Sequence, residues 1–249
     1  MKKLSIFLVL STLAVFLVAG NAQALPKIDG IFNLTEWAGY YVNDDGVKNT
    51  DNGYVDPGYG GQAFDVEYLG LIVTDDMVYF GLQTGFDFGR TDYKPGDFAL
   101  DVNGGGYDWA IDFSISGNTV TYKLVDMSTI DGDTYWDGAT SFGASNPFQA
   151  LYTEDDVVST FTGVYQIAKD LSNNVDGGYS YTIEGAFQRS LLVSNYDGGL
   201  IKEHWTMSCG NDAGDLTSAP VPEPTTILLS GIGLLGMGLF LRRKTRPSV

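Results

Sequence analysis

Hydrophobic and polar residues alternate on a period of two through most of the chain between Leu25 and Pro220. In the run from Met77 to Phe86, for example, Val78, Phe80 and Leu82 fall on one face. Successive side chains of a strand point to opposite sides of a sheet, so the pattern indicates half-buried strands. Patterns with helical spacing are few. We therefore expect an all-β domain of antiparallel strands.

Turn-forming residues separate the alternating runs, as in Asn103 to Gly106 and Ser116 to Asn118. Eight or so short strands with regular turns predict an antiparallel β-sandwich. One short helical turn is expected at Arg189 to Val193. The predicted strands cover residues 63–73, 77–86, 97–102, 107–115, 119–125, 157–167, 179–187 and 203–209.

The N-terminus has the three parts of a secretory signal peptide. A basic start is followed by an apolar core, Leu4 to Gly20, and by small residues that end at Ala24. Cleavage after Ala24 would leave Leu25 as the mature N-terminus. We therefore set residues 1–24 aside from the fold and expect export through the secretion machinery.

The C-terminus combines a short motif, an apolar run and a basic cluster. The run covers residues 225–241 without a charge, and as a helix it would lie near the lower length limit for spanning a bilayer. Cations after such a span stay on the cytoplasmic side, so the preceding domain would lie outside. The motif is Pro222-Glu223-Pro224, and the cluster contains Arg242, Arg243, Lys244 and Arg246.

This layout resembles the PEP-CTERM sorting signal of Gram-negative bacteria. The resemblance implies handling by an exosortase-type enzyme, a transient anchor in the inner membrane, and delivery to the cell surface or the extracellular polysaccharide matrix. A plain single-span anchor is the alternative. The predicted organisation is a signal peptide (1–24), a β-sandwich domain (25–215), a linker (216–220) and the sorting tail (221–246) with one transmembrane helix at 225–241.

The mature domain is strongly acidic. The whole chain has a formal charge of −17, and removing the six cations and one carboxylate of the two end segments leaves −22. A surface of this charge repels nucleic acid and anionic lipid. We therefore exclude nucleic acid as a partner and retain cations and neutral glycans.

Several short motifs resemble family 9 carbohydrate-binding modules and the related DOMON-like sandwiches. The first is Ile28-Asp29-Gly30 followed by Glu36-Trp37, and the last runs from His204 to Asp212. Modules of this type are β-sandwiches that bind sugars and often carry structural calcium, and the resemblance implies both properties here. The motifs between them are Phe64-Asp65-Val66-Glu67, Gly96 to Asp101 and Tyr181-Thr182-Ile183-Glu184.

A sugar site needs a flat aromatic face with hydrogen-bonding groups beside it. Trp109 and Trp205 share strand faces with apolar residues, and Trp37 lies in the opening motif, so we expect all three to be buried. Trp136 lies in an acidic, glycine-rich segment that lacks strand alternation. We therefore predict carbohydrate binding by Trp136 and Tyr135, with a lid over the core as the alternative.

The stretch from Asp101 to Asp112 has oxygen-bearing residues at a spacing similar to that of an EF-hand loop. Gly105 replaces one ligand and the flanks have strand patterns, so a true EF-hand is not expected. We predict instead a structural Ca²⁺ site at a β-turn, with Asp101, Asn103 and Asp108 as ligands. The alternative is a glycine-rich hairpin with solvated carboxylates.

Catalysis is not expected, because the usual arrangements are missing from the sequence. His204 is the single histidine and Cys209 the single cysteine, and no nucleophile motif is present. The lone Cys209 cannot form an intramolecular disulfide, and we expect it to be buried. His204 and Met207 are three apart on a predicted strand and point to opposite faces, so they cannot ligate one haem.

We expect a non-catalytic, exported polysaccharide-binding protein. A structural matrix protein of the same fold without a specific ligand is the main alternative. A glycan-active enzyme is the third, because abundant carboxylates can supply the acid pair that glycoside cleavage needs.

Overall fold

The structure is a computed structural model of the full chain. It describes residues 25–37, 40–42, 61–102, 104–130, 147–169, 178–192, 196 and 198–218. The chain from Leu25 to Val221 forms one compact unit. Within the described ranges, no helix is long and apolar enough to cross a membrane. The predicted signal peptide and the predicted span 225–241 lie outside those ranges.

Ten β-strands are found in the described residues, and all of them belong to one antiparallel sheet. Short 3₁₀ turns lie at Gly61–Phe64, Met127–Thr129, Glu154–Asp156 and Arg189–Leu192. The strands are β1 (Tyr40–Val42), β2 (Val66–Val73), β3 (Met77–Thr84), β4 (Phe98–Asp101), β5 (Trp109–Ser116), β6 (Thr119–Asp126), β7 (Val157–Lys169), β8 (Tyr179–Gln188), β9 (Ile201–Thr206) and β10 (Ala213–Ser218).

The sheet curls until its two ends approach each other. Its strand order is β1-β2-β3-β8-β7-β6-β5-β4-β9-β10. The backbone N–H of Val66, at the start of β2, donates to Oδ2 of Asp212, just before β10, at 2.7 Å. A Cβ at Gly214 on β10 would lie only 3.1 Å from the Val66 side chain. The close approach of β10 and β2 makes the sheet nearly closed.

The inner face of this sheet holds the main core. The ring of Phe80 on β3 lies 5.2 Å from that of Phe98 on β4 and 4.8 Å from that of Tyr122 on β6. Strand β3 is not a sheet neighbour of β4 or β6, so these contacts cross the interior. Trp109 and Trp205 are fully buried in the same core, as the alternation predicted.

The opening motif covers part of the outer face of the sheet. Trp37 is fully buried and stacks on Phe32 with ring centroids 5.0 Å apart. The pair lies over Gly70 of β2 and its cross-strand partner Gly81 of β3. A Cβ at Gly70 would lie 2.6 Å from the Trp37 ring, so the absence of a side chain at this position makes room for the indole.

Glu184 on β8 fixes this N-terminal segment to the sheet. Its Oε2 accepts the backbone N–H groups of Asp29, at 3.0 Å, and of Gly30, at 2.7 Å. Its Oε1 accepts the indole N–H of Trp37 at 3.2 Å. Burial raises the pKa of Glu184, and the three donated hydrogen bonds oppose that rise. The carboxyl therefore connects two motifs that lie about 150 residues apart in sequence.

The all-β, antiparallel prediction is confirmed, but the strands form one continuous sheet and two of them were missed. Strand β1 was not predicted. Strand β10, Ala213–Ser218, extends the folded domain beyond residue 215 and into the predicted linker 216–220. Its glycine and aspartate interrupt the alternation, and its pairing with β9 from Ala213 to Ser218 supplies the order instead. The predicted turn after Gln188 is confirmed as the 3₁₀ turn Arg189–Leu192.

Replacing Glu184 by glutamine is expected to lower the free energy of unfolding by about 2–4 kcal/mol, because an amide cannot accept all three N–H groups. Urea unfolding measures the loss, and hydrogen exchange at Asp29 and Gly30 localises it. Glu154→Gln, at an exposed carboxylate, is the control and should change little. An unchanged free energy of unfolding in Glu184→Gln would show that the carboxyl does not hold the segment.

Candidate functional site

A surface cleft of about 570 Å³ lies where β8 begins and where the chain leaves β3. This volume is within the range of small-molecule sites, which is roughly 300–1,000 Å³. It is lined by Gln62, Ala63, Gly85, Asp87, Gly89, Arg90, Thr91, Asp92, Gly178, Tyr179 and Tyr181.

Two tyrosines supply the aromatic side of the cleft. Tyr179 and Tyr181 are two residues apart on β8, so they lie on the same face of the strand. Tyr179 is 52% exposed, which leaves much of its ring free to contact a ligand. Tyr181 is half-buried, and its ring packs edge-on against Phe88 at 6.2 Å. The inner tyrosine is therefore held in place, whereas the outer one is open apart from the Lys169 ammonium, which lies 5.6 Å from its ring centroid.

Asp87 provides a carboxylate beside these rings. Its Oδ1 accepts the backbone N–H of Gly89 at 2.8 Å, and the Tyr181 hydroxyl lies near this carboxylate. Burial raises the pKa of Tyr181, and the nearby Asp87 charge raises it further. The same two causes raise the pKa of Tyr165 to about 12. Both hydroxyls therefore stay protonated at neutral pH and remain hydrogen-bond donors.

Arg90 forms a neutralised wall of the cleft. Its Nε and Nη2 donate to the two carboxylate oxygens of Asp92 at 2.8 and 2.6 Å, and its Nη1 donates to the carbonyl of Ala63 at 3.2 Å. The guanidinium also lies over the Phe64 ring at 4.3 Å. The bond from Arg90 lowers the pKa of Asp92 to about 2. Because each charge is already paired, this wall favours a neutral ligand.

Gln62 supplies a hydrogen-bond acceptor at the inner side of the cleft. Its Nε2 donates to Glu67 Oε1 at 2.5 Å and to the Tyr179 carbonyl at 3.4 Å. Its Oε1 is buried and accepts no hydrogen bond from the residues that the structure describes. A buried oxygen without a partner is costly, so a donor from a ligand would be stabilised at this position. The cleft thus combines an exposed aromatic ring, a carboxylate and an amide oxygen.

A second group of carboxyls lies elsewhere, on the outer face of β5. Asp97 is buried and its Oδ2 accepts the backbone N–H of Ala150 at 2.7 Å. Burial and the neighbouring Asp112 raise the pKa of Asp97. The Tyr152 hydroxyl donates to Asp112 in turn. Because these bonds hold the segment around Ala150 and Tyr152 on the sheet, we interpret the pair as structural.

The predicted calcium ligands are only partly described. Asp101 Oδ1 accepts the backbone N–H of Gly104, and its Oδ2 lies 3.5 Å from the Lys202 ammonium. Asp108 Oδ2 accepts the N–H of Val102 at 3.3 Å. No group of three or more metal-ligating side chains occurs among the residues that the structure describes. Ca²⁺ takes six to eight oxygen ligands, and these two carboxylates would supply part of that set. The third predicted ligand, Asn103, lies outside those residues.

The predicted sugar-binding residues Trp136 and Tyr135 also lie outside the described ranges. So do the sorting motif Pro222, Glu223 and Pro224 and the flanking Arg242, Arg243 and Lys244. Sequence reasoning missed Tyr179 and Tyr181. The signal that could have found them is the Tyr-Ser-Tyr spacing at the start of a strand, next to a glycine-rich turn.

His204 is buried and lies within hydrogen-bonding distance of a carboxylate. Its Nδ1 lies 3.0 Å from Asp215 Oδ1, and its ring stacks on Tyr107 at 5.7 Å. Met207 belongs to the inner core, whereas His204 lies outside it, so the predicted opposite orientation is confirmed. Cys209 is buried with a free thiol, which confirms the prediction for that residue.

Glu203 is an acidic side chain inside the main core. It lies on the inner face of β9 between Ile201 and Trp205, and its two buried carboxyl oxygens have no hydrogen-bond partner among the described residues. Burial raises the pKa of Glu203 well above its usual value. The indole N–H of Trp109 also has no partner within that part of the chain, and Leu100 lies between the two residues in register.

The comparisons with known proteins identify the tail. The PEP-CTERM protein-sorting motif matches residues 220–244. The chain therefore carries the signal of an exported Gram-negative bacterial protein that is sorted at the membrane by an exosortase-type enzyme. No curated protein and no solved structure matches the chain. The carbohydrate-binding-module-like character of the mature domain stays a prediction.

Replacing Glu203 by glutamine is expected to stabilise the protein increasingly as pH rises. Glutamate in the unfolded chain titrates near pH 4.3, whereas the folded pKa is higher. Below about pH 4 the Glu203 carboxyl is protonated in both the folded and the unfolded chain, so its titration does not lower the free energy of unfolding. Between the two pKa values the unfolded wild type loses its proton and the folded one keeps it, so the free energy of unfolding falls by up to about 1.4 kcal/mol per pH unit.

Urea unfolding at pH 4, 5.5 and 7 measures this effect as the difference between Glu203→Gln and wild type. The exposed Asp155→Asn variant is the control for a general change in charge. A difference that is the same at all three pH values would contradict the assignment of Glu203 as a buried, protonated acid.

Proposed function

We propose that the mature domain is a non-catalytic carbohydrate-binding module, and that its sugar site includes the cleft beside Tyr179. The observation that carries the proposal is the exposed Tyr179 ring next to hydrogen-bonding groups. The apolar face of a sugar stacks on an aromatic ring, while its hydroxyls need acceptors and donors at the ring edge. Asp87 and Gln62 lie in the same cleft and supply such acceptors.

Charge favours a neutral glycan as the ligand. The mature domain has a formal charge of about −22 by the count above, so anionic polymers are repelled at long range. The one cation that lines the cleft, among the residues given for it, is Arg90, and Asp92 neutralises it. A sugar chain without carboxylates or sulfates therefore avoids this repulsion, and its hydroxyls can donate to the Asp87 carboxylate in the cleft.

In our proposal, the sorting tail delivers the carbohydrate-binding domain to the outside of the cell. The signal peptide at residues 1–24 would start export, and the run at 225–241 would hold the protein briefly in the inner membrane. Cleavage near Pro222-Glu223-Pro224 would then release it to the cell surface or the extracellular matrix. A polysaccharide of that matrix is the partner that such a location offers.

Trp136 and Tyr135 remain part of the proposal as a second aromatic platform. We propose these two residues because they lie in an acidic, glycine-rich segment without strand alternation. The support for Tyr179 is its exposure in a cleft. Single variants can separate the two platforms.

The alternative is a structural matrix protein without a ligand of its own. The burial of Trp37, Trp109 and Trp205 favours it, because none of the tryptophans that the structure describes has an exposed face. Structural Ca²⁺ at Asp101, Asn103 and Asp108 is a separate proposal. Its support is limited to the two carboxylates that lie at one hairpin.

Tyr179→Ala is expected to weaken binding of a neutral oligosaccharide by about tenfold or more, because the stacking face is lost. Isothermal titration of the 25–218 domain with a panel of neutral oligosaccharides measures the change. Tyr107→Ala removes another partly exposed tyrosine, far from the cleft in sequence, and is the matched control. Trp136→Ala is titrated in parallel.

Loss of binding in Tyr179→Ala alone would assign the site to the cleft, and loss in Trp136→Ala alone would assign it to the sequence-predicted platform. Wild-type titrations without heat across the whole panel would reject the carbohydrate-binding proposal and favour the structural alternative.

Addition of Ca²⁺ is expected to raise the melting temperature if the hairpin binds the ion. The measurement compares thermal unfolding in 2 mM EDTA and in about 5 mM CaCl₂, a concentration that exceeds the millimolar Kd of weak extracellular sites. Asp108→Asn should remove the shift, whereas Asp155→Asn should keep it. An identical melting temperature in both buffers would reject the calcium proposal.

A further inference from the structure

Six hydroxyl side chains lie together on the outer face of three neighbouring strands. Each strand contributes two of them with one residue between, so both point to the same side. The inward residues between them, Ile115, Val120 and Phe161, belong to or pack against the main core. The hydroxyl grid consists of Ser114 and Ser116 on β5, Thr119 and Thr121 on β6, and Thr160 and Thr162 on β7.

The register of the sheet aligns these side chains in rows. Ser114 lies opposite Thr121, which lies opposite Thr162, so one row crosses all three strands. Ser116 and Thr119 form the next row, which Val164 completes on β7, while Thr160 lies in the row of Asp112 and Lys123. Neighbouring strands are about 4.8 Å apart and every second residue is about 6.7 Å along a strand. The hydroxyls therefore repeat in two directions.

The grid is open to solvent. Five of its six residues are exposed, and Thr121 is half-buried in the middle. None of the six side-chain hydroxyls forms a hydrogen bond with the rest of the protein, as far as the described residues show. Each hydroxyl can donate one hydrogen bond and accept two. The face therefore offers unused donors and acceptors at fixed positions.

The grid is also stiff. Strand β6 pairs with β5 and β7 on its two sides from Thr119 to Val125. Four of the six residues are threonines, whose branched Cβ restricts the first side-chain torsion. Little conformational entropy would be lost when such side chains bind a partner.

None of the six residues is charged. Thr160 lies opposite Lys123, which lies opposite Asp112 and pairs with Glu154 at 2.5 Å, so the cation at this end of the grid is neutralised. An uncharged group of side chains stands out on a mature chain with a formal charge near −22. Nucleic acid and anionic lipid need cations, which the six residues lack. The centre of a protein interface favours aromatic side chains over serine.

We propose that the hydroxyl grid binds an extended chain of a neutral polysaccharide, with sugar hydroxyls bonded to the serine and threonine hydroxyls. This partner matches the neutral charge and the repeating donors and acceptors. The surface belongs to β5, β6 and β7, whereas the cleft is lined from residues 62–63, 85–92 and 178–181. The inference goes beyond the proposed cleft, because it concerns a polymer surface and does not depend on Tyr179.

Adsorption to an insoluble neutral polysaccharide tests the grid. The double variant Thr121→Val/Thr162→Val removes two hydroxyls of the central row and keeps side-chain shape and strand preference. With microcrystalline cellulose and an insoluble β-1,3-glucan as probes, we expect adsorption of the 25–218 domain to weaken about tenfold. Thr217→Val, at an exposed threonine of β10, is the matched control and should adsorb as wild type does.

A second double variant, Thr121→Ser/Thr162→Ser, keeps the hydroxyls and removes the methyl groups, so it should retain most of the adsorption. Tyr179→Ala should adsorb normally even if it no longer binds soluble oligosaccharide, which separates a failure of the grid from a failure of the cleft. The proposal is overturned if wild type adsorbs to neither polymer, or if the valine variant adsorbs as wild type does. Equal loss in the serine and valine variants would also overturn it, since hydroxyls would not be the cause.

Discussion

The N-terminal segment, and with it one outer face of the sheet, depends on the carboxyl group of Glu184. This side chain accepts three N–H groups from residues 29, 30 and 37. The bonds place Trp37 over the Gly70–Gly81 pair, where a side chain would collide with the indole. Burial of the indole and of Phe32 then removes apolar surface from water at roughly 25 cal/mol per Å². The hydrogen bonds and the aromatic packing depend on each other. The buried Glu184 carboxyl needs the three N–H donors, and the Gly70–Gly81 surface needs the Trp37 ring over it.

The hydrogen bonds of Glu184 give a structural role to three of the motifs that resemble carbohydrate-binding modules. Ile28-Asp29-Gly30, Glu36-Trp37 and Tyr181-Thr182-Ile183-Glu184 look unrelated in sequence, yet the structure joins them through one carboxyl group. Their shared role is packing and hydrogen bonding of the fold. The motifs therefore support a likeness in architecture, while the argument for sugar binding has to come from exposed groups such as Tyr179.

Alternation in the sequence predicted the strands from β2 to β9, because they turn apolar side chains at alternate positions into the main core. It did not show that β2 and β4 are buried on both faces. It missed β10, whose Gly214 and Asp215 break the pattern and whose order comes from pairing with β9 and contact with β2. The near closure of the sheet rests on such long-range contacts, which no local pattern encodes. The burial of Trp109 and Trp205 followed from their strand faces. The cleft did not, because it combines side chains from positions 62, 87 and 179, whose proximity follows from the pairing of β2, β3 and β8.

The two proposed binding surfaces of this acidic chain are built by different means. In the cleft, Arg90 is paired with Asp92, so these opposite charges cancel, and Asp87 offers its carboxylate as an acceptor. On the outer face of β5 to β7, the proposed surface consists of uncharged hydroxyls, and register sets their spacing. Acidic residues elsewhere repel anionic polymers. The chain thus disfavours anionic partners by its overall field and leaves two local surfaces at which the hydroxyls of a neutral partner find hydrogen-bonding groups.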